Sequence, residues 1–208
     1  MLRVARTPPV IHVVDDDPYV LGSVLSLLQA KGYVVRGFSS PQEFLLHCEA
    51  EEAACVVLGI GMSTMSGVEL QQMLALAGRA PPVVFLTAPG DIAAIVRAIR
   101  AGAVDVLAKP PNAHDLLRAI AEALTLDERQ RMARKETALF MQRMASLTVR
   151  ERQVFRCIVD GRMNKQIAAD LGISEATVKV HRCRVMQKLR ARRIAELVQM
   201  AHRAAVQP

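Results

Sequence analysis

The chain has no tryptophan, two tyrosines and five phenylalanines among its 208 residues, so its cores must be filled with Val, Leu, Ile, Ala and Met. Four cysteines, Cys48, Cys55, Cys157 and Cys183, are widely spaced, with no CxxC pair and no Cys/His metal spacing. That pattern excludes a zinc module and a disulfide scaffold, and it fits reduced thiols in a cytosolic protein. No segment approaches the run of about eighteen apolar residues that a membrane span needs. The basic N-terminus lacks the apolar stretch and cleavage site of a signal peptide. The expectation is a soluble, cytoplasmic protein without a membrane partner.

The charge that is present is unevenly placed. Residues 1–125 carry 9 Lys and Arg against 12 Asp and Glu, net −3; residues 126–208 carry 18 against 8, net +10. An acidic half joined to a strongly basic half points to nucleic acid as the partner of the second. The length suits two modest domains better than one small core.

The first half alternates short apolar runs with helical patterns. Val10–Val14, Val34–Phe38, Ala54–Leu58, Pro82–Leu86 and Val104–Leu107 read as buried parallel strands. Between them, Pro18–Ala30, Pro41–Glu49, Gly67–Leu76, Asp91–Ala101 and Ala113–Leu124 read as helices, with Pro18 and Pro41 at first turns and Ser40 as a cap. Five βα units predict an α/β doubly wound parallel five-stranded sheet over residues 9–125. Residues 126–146 contain neither Gly nor Pro and read as a helical linker, separate from the helix before it or continuous with it. Residues 147–208 read as a small all-α domain, with helices at Val149–Val159, Asn164–Leu171, Glu175–Leu189 and Ala191–Arg203.

Within that domain, Gly172 can end one helix through a positive φ and Ser174 can cap the next. The second helix is long enough to cross a major groove. At 100° per residue, Val178, Val185 and Leu189 share a stripe suited to packing, with His181 and Arg182 at its borders. The opposite face carries Lys179, Val180, Cys183, Arg184 and Gln187. Those side chains offer donors for guanine, an amide for adenine and an apolar contact for a thymine methyl. Lys165, Thr177, His181, Arg182 and Lys188 sit where they can hold phosphates. Cys183 reads first as a small residue suited to a crowded interface; a redox switch is the alternative, because Arg182 and Arg184 favour its thiolate.

Leu147-Thr-Val-Arg-Glu151, Asn164-Lys-Gln-Ile-Ala168, Thr177-Val-Lys-Val-His181 and Met186-Gln-Lys-Leu189 resemble the LuxR-type helix-turn-helix of NarL/FixJ-class response regulators. The resemblance implies that Lys179, Val180 and Cys183 contact bases of double-stranded promoter DNA. It also implies a homodimer joined around the last helix, and a regulator rather than an enzyme.

Asp15, Asp16 and Asp17 follow the first strand at the edge where such sheets bind ligands, and Thr87 and Lys109 reach the same edge. Three adjacent acids call for a cation, either Mg²⁺ or a lysine. Val13-Val-Asp-Asp-Asp17, Met65-Ser-Gly-Val-Glu69, Phe85-Leu-Thr87, Gly102-Ala-Val-Asp105 and Lys109-Pro110 resemble a receiver domain. In that family an acid pair, here Asp15 and Asp16, holds Mg²⁺, and the residues matching Thr87 and Lys109 contact a phosphoryl group carried by an aspartate at the end of the third strand.

Here that position is Gly59, which cannot form an acyl phosphate. Gly61, Ser63 and Thr64 also depart from the family pattern, and Val106 stands where an aromatic switch residue is expected. The retained acids are therefore expected to pair with Lys109, with weak Mg²⁺ binding at Asp15 and Asp16 as the alternative, and no cofactor is expected. The sequence predicts a pseudo-receiver that serves dimerisation or answers a protein or small-molecule signal, driving a DNA-binding regulator independently of Asp phosphorylation. Two alternatives stand beside it. One is a phosphorelay receiver using Ser63, Thr64 or Asp17 as acceptor; the other is an interaction protein that sequesters another regulator.

Overall fold

The structure, a computed structural model, describes residues 8–47, 53–78 and 81–206. The chain divides into two compact units, Met1–Gln130 and Arg131–Pro208. In the first, strands β1 (Val10–Val14), β2 (Val34–Phe38), β3 (Ala53–Gly59), β4 (Val83–Thr87) and β5 (Asp105–Ala108) alternate with helices α1 (Pro18–Ala30), α2 (Pro41–His47), α3 (Gly67–Leu76), α4 (Ile92–Arg100) and α5 (Ala113–Ala145). The strands form one sheet in the order β2-β1-β3-β4-β5, every pair parallel. Every residue of β3 and β4 is buried, as strands covered by helices on both faces require.

Two apolar layers enclose that sheet. On one face Val20, Val24 and Leu28 of α1 and Leu116, Ala119, Ile120 and Ala123 of α5 pack on Ile11, Val13, Val57, Val84 and Leu86. On the other, Phe44 of α2, Leu70 and Leu74 of α3, and Ala94 and Ala98 of α4 pack on Val56, Leu58 and Phe85. Alternation along each strand sends neighbours to opposite layers, which produces the doubly wound sandwich.

Local chemistry sets most of the element ends. Asp17 accepts the Tyr19 and Val20 amides and starts α1 together with Pro18. Ser66 and Glu69 form a reciprocal capping box at α3. Asp91, read as the first residue of α4, instead caps it by accepting the Ala94 amide. The second helix, expected to reach Glu49, is described to His47; Cys48 and Glu49 lie outside the described residues.

Of the two readings of the linker, the continuous one holds. Helix α5 runs 33 residues without a break, so Ala113–Leu124 and the segment that follows, as far as Ala145, are one helix. Thr125, at the expected break, returns its hydroxyl to the Ala121 carbonyl and interrupts nothing. The segment read as a linker divides between the units. Leu126 and Gln130 line a cavity of the first unit, whereas Phe140 and Met144 join the core of the second.

The second unit completes itself with α6 (Val149–Val159), α7 (Asn164–Leu171), α8 (Glu175–Leu189) and α9 (Ile194–Val206). The last helix begins three residues later than the sequence suggested, because Arg190 to Arg193 form a turn before it. Val154, Ile158, Ile167, Val178, Val185, Leu189 and Leu197 make its core.

One close approach in the first unit fixes a glycine. A β-carbon at Gly67 would drive into the Gly59 carbonyl oxygen and lie 3.1 Å from the Phe85 ring. Gly67→Ala should therefore destabilise this unit by about 1–3 kcal/mol. Urea unfolding followed by circular dichroism checks it, and an unchanged midpoint would show that α3 can back away from β3.

Candidate acidic pocket and nucleic-acid interface

The parallel register brings the ends of β1, β3, β4 and β5 to one edge of the sheet, with Val14 opposite Leu58 and Thr87 opposite Ala108. Asp15 follows β1 and is fully buried. The Lys109 ammonium lies 2.7 Å from its Oδ1 and 2.6 Å from its Oδ2, so the lysine straddles the carboxylate. The Asp17 amide also donates to Asp15 Oδ1, at 3.0 Å. Thr87 is buried beside them, and its carbonyl accepts the Lys109 amide at 2.8 Å. Asp16 turns away: it is exposed, and its Oδ2 accepts the Ser63 amide at 2.7 Å.

Gly59 lies beneath this pair. A β-carbon there would sit 2.7 Å from Asp15 Oδ2 and 3.3 Å from Lys109 Nζ. The space that a side chain at position 59 would enter is thus taken by the Asp15 carboxylate and its counter-ion. The donor set does not fit a divalent cation. Asp15 Oδ1 accepts from Lys109 and the Asp17 amide, while Oδ2, 2.6 Å from the ammonium, is buried without a hydrogen bond; Asp16 faces a backbone amide, and residue 59 offers no side-chain oxygen. Val106, half-buried, packs with Ala101 and Ala103 against the apolar layer.

In the second unit, α7 ends at Gly172 with φ 63°, and α8 starts at Ser174, whose hydroxyl accepts the Thr177 amide at 3.1 Å. Val178, Val185 and Leu189 are fully buried. Lys179, Val180, Cys183, Arg184 and Gln187 are exposed on the opposite side of α8, with Val180, an apolar residue, 49% exposed. Among the described residues, no ion-pair partner occupies Lys165, Lys179, Arg182 or Arg184. The Thr177 hydroxyl lies 2.8 Å from Ser174 Oγ, within the cap. His181 and Arg182 are half-buried at the edge of the packed stripe.

Lys188 is the exception. Expected on a phosphate, it turns inward, with Nζ 2.6 Å from Glu151 Oε2 and 3.1 Å from the Ser146 carbonyl. Glu151 is buried and accepts the Thr148 amide at 2.8 Å, while Thr148 Oγ1 accepts the Glu151 amide. The Lys188 hydrogen bond first, and the Thr148 amide second, hold the Glu151 carboxyl down at about 2. The Thr148-x-x-Glu151 capping box is written in the sequence. The partner 37 residues away, Lys188, carries no local signal. Arg143 adds a contact at the same end of α8, donating to the Leu189 carbonyl at 3.4 Å.

Comparison with known proteins follows the same division. Residues 11–121 match the response regulator receiver domain family, and residues 145–201 match the bacterial regulatory proteins of the luxR family. The chain is 40% identical over 194 residues to the response regulator protein TodT of Pseudomonas putida, covering 93% of this chain and 86% of that protein. It is 39% identical over 201 residues to the transcriptional regulatory protein FixJ of Azorhizobium caulinodans, covering 95% and 94%. The solved structure of the response regulator StyR superposes with a TM-score of 0.79 at 44% identity, over 94% of this chain and 99% of that one.

The chain belongs to the response regulators with a LuxR-type DNA-binding domain. It is a transcription regulator of the two-component class and not an enzyme. As a member of that family, it pairs a receiver-like α/β unit with a helix-turn-helix unit. No described helix is long and apolar enough to cross a membrane.

The Glu151 carboxyl titrates lower in this fold than in an unfolded chain, so its contribution to stability is full above its ordinary range near 4.5 and is lost as pH falls from there toward about 2. Lys188→Met should destabilise the DNA-binding unit by about 1–3 kcal/mol, because Glu151 is left buried without its cation. It should also flatten the acid dependence of unfolding across that window. Urea titrations at pH 7 and at pH 3 check both; equal losses at the two pH values would count against the pairing.

Proposed function

We propose that this response regulator binds double-stranded promoter DNA as a homodimer, in a manner independent of aspartyl phosphorylation. Its receiver then serves as a dimerisation or signal-binding surface. The observation that carries the reading is the pocket at Gly59, where the strand-end position supplies no carboxylate for a phosphoryl group and a buried Asp15–Lys109 pair takes the space. The readout position is consistent with this, since Val106 has no ring to reorient.

The receiver offers a surface for such a role on α4, which leaves Ile92, Val96 and Ile99 exposed at a spacing that places them on one face. On α8, Lys179, Val180, Cys183, Arg184 and Gln187 present the groove-reading face, with Lys165, Thr177, His181 and Arg182 at its margins. The pocket gives no support to a substitute phosphoacceptor. Asp17 is spent on the α1 cap, and Ser63 and Thr64 are exposed, the latter bonded to Gln42.

Two measurements test the proposal. Incubation with a small phosphoryl donor, read by intact mass, should give no added phosphoryl group; a gain that disappears in Ser63→Ala or Thr64→Ala would replace this reading with a phosphorelay. On a duplex selected from a random library, Lys179→Ala should cost about 1–3 kcal/mol of binding and relax preference at one position. Unaltered site preference would mean that another face of α8 meets the bases.

A further inference from the structure

The recognition helix ends on a backbone conformation that favours glycine, and an arginine occupies it. Arg190 has φ 56° and ψ 32°, and it is the one non-glycine with positive φ among the described residues. The end of α7 gives an internal comparison. There Gly172 has φ 63° and ψ 38°, and the Ile173 amide reaches back to the Ala168 carbonyl. At the end of α8 the Arg190 amide donates to the Gln187 carbonyl and the Ala191 amide to Met186, at 3.1 and 3.0 Å. The two helices stop by the same turn, and only one of them uses the residue that adopts it without strain.

Nothing among the described residues pairs with the arginine. Its side chain is exposed and makes no hydrogen bond or ion pair with a described residue. Arg192 and Arg193, also exposed, have guanidinium groups without a described partner, so three like charges crowd one turn. A cation favours a helix C-terminus, but that end already has Arg143 donating to the Leu189 carbonyl. An anion from outside would neutralise the crowd. Lys188, the side chain expected to anchor this end of the helix on DNA, faces Glu151 instead. Arg190 follows Gln187 by three residues and so lies one turn beyond the exposed Lys179, Cys183 and Gln187.

We infer that Arg190 is a DNA-backbone contact, its guanidinium taking a phosphodiester at the C-terminal end of the recognition helix. The inference rests on the reading of α8 as the groove helix. The strained turn is kept because it delivers a free, always-charged fork to that point.

Arg190→Gly in the full chain gives opposite signs to two readouts. Relief of strain should slow amide exchange in α8 about fivefold. Affinity for a random-sequence duplex of about 30 base pairs should fall about tenfold, and the slope of log affinity against log salt should flatten by about 0.9 per bound protomer. Arg190→Lys should keep most of the slope. If Arg190→Gly binds like the wild type, or binds more weakly with the slope unchanged, the assignment is overturned while the DNA-binding reading stands. A wild-type chain that fails to bind the duplex overturns both.

Discussion

The DNA-binding unit turns on one buried carboxylate. Glu151 must be compensated to remain ionised inside the fold, and the compensation comes from two directions. The amide of Thr148, at the positive start of α6, supplies one hydrogen bond, and the ammonium of Lys188, near the end of α8, supplies the other. Because Lys188 has to reach inward, the roll of α8 about its axis is fixed. Val178, Val185 and Leu189 then fall in the core, and Lys179, Cys183 and Gln187 fall outside. The face that α8 leaves exposed is in this sense chosen by an interaction on the other side of the helix.

A second buried ion pair gives the receiver a different character. In the pocket at the sheet edge, Lys109 straddles Asp15, and the Asp15 carboxylate lies over the backbone of Gly59. The opposite charges of Asp15 and Lys109 lie against each other at the edge where the strands end. A compact pair of this kind ties the loop after β1 to the end of β5 and leaves the sheet intact.

Much of this architecture could be read in the residues. The bounds of α1, α3, α6, α7 and α8 follow from Pro18, Ser66, Thr148, Gly172 and Ser174, each of which acts on its own turn of backbone. The sheet followed from apolar runs of strand length. What could not be read was non-local. The inward turn of Lys188 depends on a partner 37 residues away, and the fit of Asp15 over Gly59 depends on the relative height of two strands. The continuity of α5 lay between these cases: the absence of Gly and Pro permitted it, but only tertiary packing of Leu116 and Ile120 at one end and Phe140 at the other decides where helix is kept. Arg190 escaped notice because a sequence does not display a φ angle.

The pocket at Gly59 also couples two positions of the chain. An aspartate at position 59 would place its β-carbon 2.7 Å from Asp15 Oδ2 and set two buried carboxylates around one lysine. Gly59→Asp alone would therefore be penalised in this pocket. Asp15 would have to move in concert, so neither position can be exchanged without regard to the other.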